Sequence, residues 1–321
     1  MSMAFACAAA LVAFSVIGSA GAADLPVKAP PKEPVVAPIN WSGFYVGANI
    51  GYSWGRAPTD AAGTGTSQSF QSVTPPFPDS ITNIAFASAS TARINGPIGG
   101  LQTGYNFQFN RWVVGLEADI QVSGEHASGT SVGSFSSPQC IEAVSNPPAP
   151  LRCTAFAPLS GTGVTNYEGK IDWLGTVRGR VGALVTGQIL LYATGGFAYG
   201  EVNLSGGTAL NGSIVGTGVF IPAPVFIPLT PTVAPFSRSK INLGYTVGAG
   251  IEAKFAASNW SWKLEYLYVD LGSLDTASSF SAPLGGFSTL TGAVATHTRF
   301  TDNIVRVGLN YQIGGPVVAR Y

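Results

Sequence analysis

Eight segments of this chain alternate apolar residues with polar or small ones at a period of two, and this alternation most constrains the fold. Between 112 and 122 the even-numbered residues are apolar, while Glu117, Asp119 and Gln121 lie at odd positions. Successive residues of a strand point to opposite faces, so such a segment is a strand with one apolar face. The pattern recurs in segments beginning near Phe44, Gly100, Ile171, Ile189, Ile241, Trp260 and Asp302.

The lengths of the connections also alternate. Short turns at 110–111, 186–188 and 256–259 alternate with long segments at 55–95, 124–170, 206–239 and 271–298. Bacterial outer-membrane barrels have an even number of strands, short periplasmic turns and long extracellular loops. We therefore predict an all-β fold for residues 41–313, an eight-stranded antiparallel transmembrane up-and-down β-barrel with four long extracellular loops. Aromatic residues near both ends of these segments indicate the two interfacial girdles.

The N-terminal residues indicate export. An apolar stretch, Ala4–Ile17, precedes small residues up to Ala23, which predicts a cleaved signal peptide at 1–23. A retained anchor is the alternative, but it would need about 20 apolar residues. Residues 24–40 are Pro-rich and predict an extended periplasmic segment. The expected location is the outer membrane of a Gram-negative bacterium, and a net charge of zero argues against a nucleic-acid partner.

Several motifs resemble the alphaproteobacterial outer-membrane proteins of the 25 and 31 kDa surface-protein family, OmpA-like eight-stranded barrels also called the porin family. They include an opening at 41–47, a segment at 172–180 and a closing strand at 303–311. The resemblance implies outer-membrane lipid, lipopolysaccharide and the outer-membrane assembly machinery as partners. It also implies an insertion signal in the last strand, carried by Gly308, Tyr311 and Ile313. The tail at 314–321 is either a periplasmic extension or places Tyr321 as the terminal aromatic residue.

The polar face of the strands carries eleven charges. Unpaired buried charge is costly, and an eight-stranded barrel is only just wide enough to be filled by side chains. We therefore predict a salt-bridged plug, with a narrow pore for small solutes as the alternative. The predicted lumen network comprises Glu117, Asp119, Asp172, Arg178, Arg180, Glu252, Lys254, Lys263, Glu265, Asp302 and Arg306.

Cys140 and Cys153 form a pair in a Pro-rich segment. In an oxidising compartment, and with no further Cys or His nearby, they predict a loop disulfide rather than a metal site.

Functional alternatives rest on few residues. His126 and Ser128 stand where small barrel lipid-A deacylases place a base and a hydroxyl, but an orienting acid is missing. Some relatives bind haem, for which His126 and His297 are the candidate histidine ligands. We expect no catalytic residues, no metal and no cofactor. The loops, which include the apolar run 220–229, are the expected surface for a ligand or host partner.

Overall fold

The computed structural model describes residues 39–69, 80–144, 152–217, 224–256, 258–284 and 288–313, and these form strands joined by turns. The predicted signal peptide, most of the Pro-rich segment and the tail after Ile313 lie outside the described residues. The strands are β1 (Gly43–Ser69), β2 (Ser80–Phe109), β3 (Trp112–Val144), β4 (Arg152–Thr186), β5 (Ile189–Gly216), β6 (Val225–Pro228), β7 (Thr232–Lys254), β8 (Trp260–Leu284) and β9 (Ser288–Ile313). The part of the chain that the structure describes contains no apolar helix of membrane-spanning length.

Eight long antiparallel strands close into a ring, as predicted. Each long strand pairs with its sequence neighbours, β1 pairs with β9, and β4 pairs with β5 to complete the circuit. β6 is a short strand that pairs with the end of β5. We followed the ring once around by stepping from each residue to the one directly opposite it on the next strand. The path starts on β1 at Val46 and returns to β1 at Arg56 rather than at Val46. It passes through Thr103, Ala118, Val177, Phe197, Tyr245, Asp270 and Thr301. This stagger means that the strands are tilted against the barrel axis.

The predicted long loops are wrong in extent, because most of their described residues continue the strands. β1, for example, runs on from Trp54 to Ser69. The physical reason is that the apolar side chains of a strand lie on its outer face in the membrane part and on its inner face beyond it. On β2, Leu101 and Phe107 point outward, whereas Ile94 and Phe86, which lie farther from the short turn, are buried inside. The outer face there consists of small and polar residues, which is why these segments resemble loops in sequence.

Beyond the membrane part, the ring separates into two sheets. The described ladder between β2 and β3 ends at Asn95 opposite His126, and that between β7 and β8 ends at Tyr245 opposite Asp270. Within the described residues, no further ladder joins these strands, although all four continue. One sheet is therefore β2-β1-β9-β8 and the other is β3-β4-β5-β7. Two packed sheets with an apolar interior form a β-sandwich.

The interior is layered along the barrel axis. A small apolar cluster with Trp41, Val113 and Leu190 lies at the end with the short turns. A layer of charged residues follows. Two larger apolar clusters then fill the sandwich, one around Ile94 and the other around Phe135.

Candidate functional site

The charged layer, which we call the belt, has balanced charge. It consists of four acids and four bases, all paired in salt bridges and all with side chains 3% exposed or less: Glu117, Asp119, Glu252, Glu265, Arg178, Arg180, Lys263 and Arg306. They come from β3, β4, β7, β8 and β9. The predicted salt-bridge network inside the barrel is therefore confirmed for these eight residues.

Glu117 is the hub of the belt. It pairs with Arg178 and lies 2.8 Å from the Nζ of Lys263. Its carboxylate is also 3.7 Å from Arg180 and 3.5 Å from Arg306, so one acid contacts all four bases. The hydroxyl of Tyr45 donates a further hydrogen bond to Glu117 at 2.6 Å.

Two other acids share the guanidinium groups of Arg178 and Arg306. Asp119 lies 2.8 Å from each of them. Glu265 lies 2.6 Å from Arg306 and 3.2 Å from Arg178, and it accepts a hydrogen bond from the hydroxyl of Tyr192 at 2.9 Å. Planar guanidinium groups suit such arrangements because they offer several donors in a fixed geometry.

Arg180 and Glu252 form the remaining part of the belt. Their closest atoms are 2.6 Å apart, and the guanidinium carbon of Arg180 lies 4.1 Å from the ring centroid of Tyr192. Glu252 also accepts hydrogen bonds from Ser261 at 2.6 Å and Asn310 at 2.8 Å. Neutral donors thus extend the belt, and they give Glu252 hydrogen bonds beyond its ion pair with Arg180.

Two inward-facing glycines leave room for the tyrosines. A Cβ added at Gly104 would lie 2.5 Å from the Tyr45 hydroxyl, and one added at Gly250 would lie 2.6 Å from the Tyr192 hydroxyl. Both distances are far below van der Waals contact. The tyrosines can therefore reach across the interior only because these positions carry no side chain.

The other three predicted network residues lie elsewhere. Lys254, near the short turns, is half-buried; its ammonium group donates to Gln312 and to the Asn40 carbonyl. Asp302 is buried but accepts a hydrogen bond from Ser53 and pairs with none of the described bases.

Asp172 was predicted wrongly. It is exposed on the outer face, where it accepts a hydrogen bond from Asn203 at 2.5 Å. Its sequence parity matches that of Arg178 and Arg180, but the pairing of β4 shifts register at this residue. A bulge of this kind reverses the alternation, so residues on its two sides no longer share a face.

Tyr45 and Tyr192 were not predicted as partners of the belt, and Glu125 was not predicted as a further buried acid. The parity of Tyr45 with Asn49 on β1 is a usable signal, because both are buried. Glu125 shares parity with Glu117 and lies inside, beyond Val122, the last outward apolar residue of β3 in the membrane part. Burial and the nearby Asp302 carboxylate raise the pKa of Glu125 to about 9.

In the membrane part of the barrel, the outer face is apolar between two aromatic girdles, as membrane barrels require. Trp112, Trp260 and Tyr311 lie near the short turns, and Tyr52 and Trp54 lie toward the other end. Of the predicted insertion signal, Tyr311 and Ile313 are exposed on this face, whereas Gly308 faces inward. Their role in insertion stays a prediction.

The histidines are separate from the belt and from each other. His126 on β3 and His297 on β9 are both exposed on the outer face, and His297 Nδ1 lies 2.6 Å from Asp275. Ser128 is also exposed, while Glu125 next to His126 points inside. Among the described residues, no three His, Cys, Asp or Glu side chains are placed to hold a metal ion.

The predicted disulfide remains untested, because the side chains of Cys140 and Cys153 lie outside the described residues. Their backbones belong to paired strands rather than to a loop. Cys140 lies opposite Phe156, and Cys153 lies opposite Ala143.

Comparison with known proteins agrees with this architecture. Residues 8–312 match the family described as outer membrane protein beta-barrel domain. The 31 kDa outer-membrane immunogenic protein of Brucella melitensis is 31% identical over 306 residues, which are 92% of this chain and 93% of that protein. The 22 kDa outer membrane protein of Rhizobium leguminosarum is 29% identical over 211 residues, 66% of this chain and 64% of its own.

Among solved structures, the attachment invasion locus protein Ail of Yersinia pestis aligns at 10% identity with a TM-score of 0.23, covering 79% of this chain and 97% of Ail. The family match and the Brucella relative confirm the predicted resemblance to alphaproteobacterial surface proteins. The chain belongs to the outer membrane protein beta-barrel domain family, and it is an integral β-barrel of the bacterial outer membrane.

Proposed function

We propose that this protein is a structural component of the outer membrane, with a filled, non-conducting barrel and an extracellular sandwich for surface contact. The observation that carries this proposal is the belt, in which Glu117 joins all four bases across the interior. A water-filled channel would keep such charges hydrated and apart. The apolar clusters beyond the belt further support a filled interior.

Envelope integrity is the role that such a barrel serves best. A rigid barrel with an apolar outer band is held in the bilayer by its lipid-facing residues, and its extracellular part projects among the lipopolysaccharide molecules. The exported chain would reach this place through its signal peptide and the assembly machinery. Ligands or host partners would meet the outer surface of the sandwich, where Phe226 of the predicted apolar run is exposed.

Other functions have less support. A narrow pore would need a continuous polar path, whereas large side chains such as Phe300, Leu204 and Leu267 lie completely buried in the interior. The two histidines are exposed on strands that β1 and β2 separate in the ring, which does not favour a shared haem site. His126 and Ser128 lack a described acid that orients the histidine, so we propose no enzymatic role.

A permeability assay tests the proposed role. Deletion of the gene should increase uptake of a hydrophobic dye by intact cells, and the wild-type chain should restore the barrier. A Glu117→Gln chain, in which the hub is broken, should restore it less well at equal amounts in the membrane. Unchanged dye uptake in the deletion strain would contradict the proposal.

A further inference from the structure

Two arginines lie side by side on the outer face of the barrel. Arg56 on β1 is directly opposite Arg93 on β2, and both are exposed. Neither side chain forms an ion pair or a side-chain hydrogen bond with any described residue. Arg299, on the neighbouring strand β9, differs because it pairs with Asp270.

This arrangement is unfavourable for the isolated protein. Like charges directly opposite each other on a sheet repel, and the expected alternative is a cross-strand pair of opposite charge. The nearest outward acid on β1 is Asp60, four positions farther along the strand. Unpaired guanidinium groups on two directly opposite residues form a site that an anion would neutralise.

The position of the pair indicates which anion is available. On β1 the outward residues run Tyr52, Trp54 and then Arg56, so the arginines begin where the aromatic girdle ends. On β2, Asn95 lies two positions from Arg93 on the membrane side, as Trp54 does from Arg56 on β1. Asn95 accepts a hydrogen bond from the Tyr52 hydroxyl at 3.1 Å. The short turns lie at the opposite end, which places this girdle at the outer leaflet.

We propose that Arg56 and Arg93 form a phosphate-binding site for the lipid A headgroup of lipopolysaccharide. This inference rests on the proposed contact with the outer leaflet and assigns residues to it. Guanidinium groups bind phosphate through paired charge-assisted hydrogen bonds. Two of them, at headgroup level, would hold one phosphate between adjacent strands and tie the base of the sandwich to the lipid surface.

The test uses the refolded full-length protein in detergent micelles, with bound lipid A measured by native mass spectrometry. The Arg56→Gln/Arg93→Gln variant should bind bisphosphorylated lipid A about tenfold more weakly, because charge-assisted hydrogen bonds are lost. The matched control is Lys170→Gln/Lys240→Gln, which removes two exposed charges on strands separated by β5. That control should change binding by no more than about twofold. Dephosphorylated lipid A should bind the wild type as weakly as it binds the arginine variant.

Equal losses in both double variants would overturn the proposal, because they would indicate diffuse attraction rather than a site. Undiminished binding by the arginine variant would overturn it as well. Thermal unfolding supplies a check on folding, and removal of the like-charge pair should leave the transition unchanged or slightly higher. These outcomes are separate from the permeability assay, because lipid binding in micelles is measured without reference to the barrier role.

Discussion

Lys263 on β8 donates a hydrogen bond to Glu117 on β3 at 2.8 Å, although the two residues are 146 positions apart in sequence. The bond joins two strands on different sides of the interior. Both side chains are almost completely buried. Bonds of this kind link non-neighbouring strands directly, in addition to the backbone ladders between neighbours. The belt therefore braces the barrel from within.

Replacing the hub should destabilise the barrel. Glu117→Gln leaves four buried bases with three acids, and breaking a buried ion pair typically costs about 3–5 kcal/mol. The measurement is urea unfolding in detergent micelles, followed by tryptophan fluorescence. Asp172→Asn is the matched control, because Asp172 is exposed and outside the belt. Equal stability of the two variants would show that the belt contributes nothing to the fold.

Gly104→Ala, which adds one methyl group, should also destabilise the barrel. The new Cβ would lie 2.5 Å from both the Tyr45 hydroxyl and the Leu116 carbonyl oxygen, so Tyr45, which donates to Glu117, or the backbone of β3 must shift. Overpacking of this kind costs about 1–3 kcal/mol. Gly179→Ala is the control, since its Cβ would meet only the Gly195 carbonyl at 3.9 Å. A Gly104→Ala barrel as stable as the Gly179→Ala barrel would contradict the assigned packing.

Glu125 should make stability depend on pH. Its pKa is raised to about 9 in the folded protein, while an unfolded glutamate has a pKa of about 4.3. The unfolded state therefore releases its proton first. The stability associated with the protonated carboxyl is complete below pH 4.3 and declines as pH rises to about 9.

Glu125→Gln removes this contribution, so the variant should gain stability over the wild type as pH increases from about 5 to 9. The difference between the two unfolding midpoints at each pH is the relevant quantity. Glu168→Gln, an exposed change on β4, should give no such trend. A constant difference between wild type and Glu125→Gln would refute the buried, proton-carrying state of Glu125.

The sequence was sufficient for the strand order and for most of the belt, because inside and outside follow parity along a strand. Eight of the eleven predicted charges pair with one another. The prediction for Asp172 was wrong because a single register shift reverses parity, and nothing in the local residue types marks that shift. The predicted strand lengths were wrong for another reason. Outside the bilayer the apolar side chains face inward, and the Ser- and Thr-rich outer face makes the sequence resemble that of a loop.

The partners Tyr45 and Tyr192 show a further limit. Parity places Tyr45 inside, whereas the fifth segment alternates too weakly to assign a face to Tyr192, and parity does not say how far either ring reaches across the interior. That depends on Gly104 and Gly250, which belong to neighbouring strands and become adjacent only through the register.

Single-channel recording on the refolded full-length barrel tests the central claim, a filled interior, most directly. Wild-type protein inserted into planar bilayers should give no stable conductance steps. Flotation of the refolded barrel with liposomes of the same lipid verifies that it inserts, so that silence of the bilayer reports a closed interior rather than absent protein. Reproducible wild-type steps of one size that vary with salt as an open channel does would contradict the filled interior and favour the narrow pore.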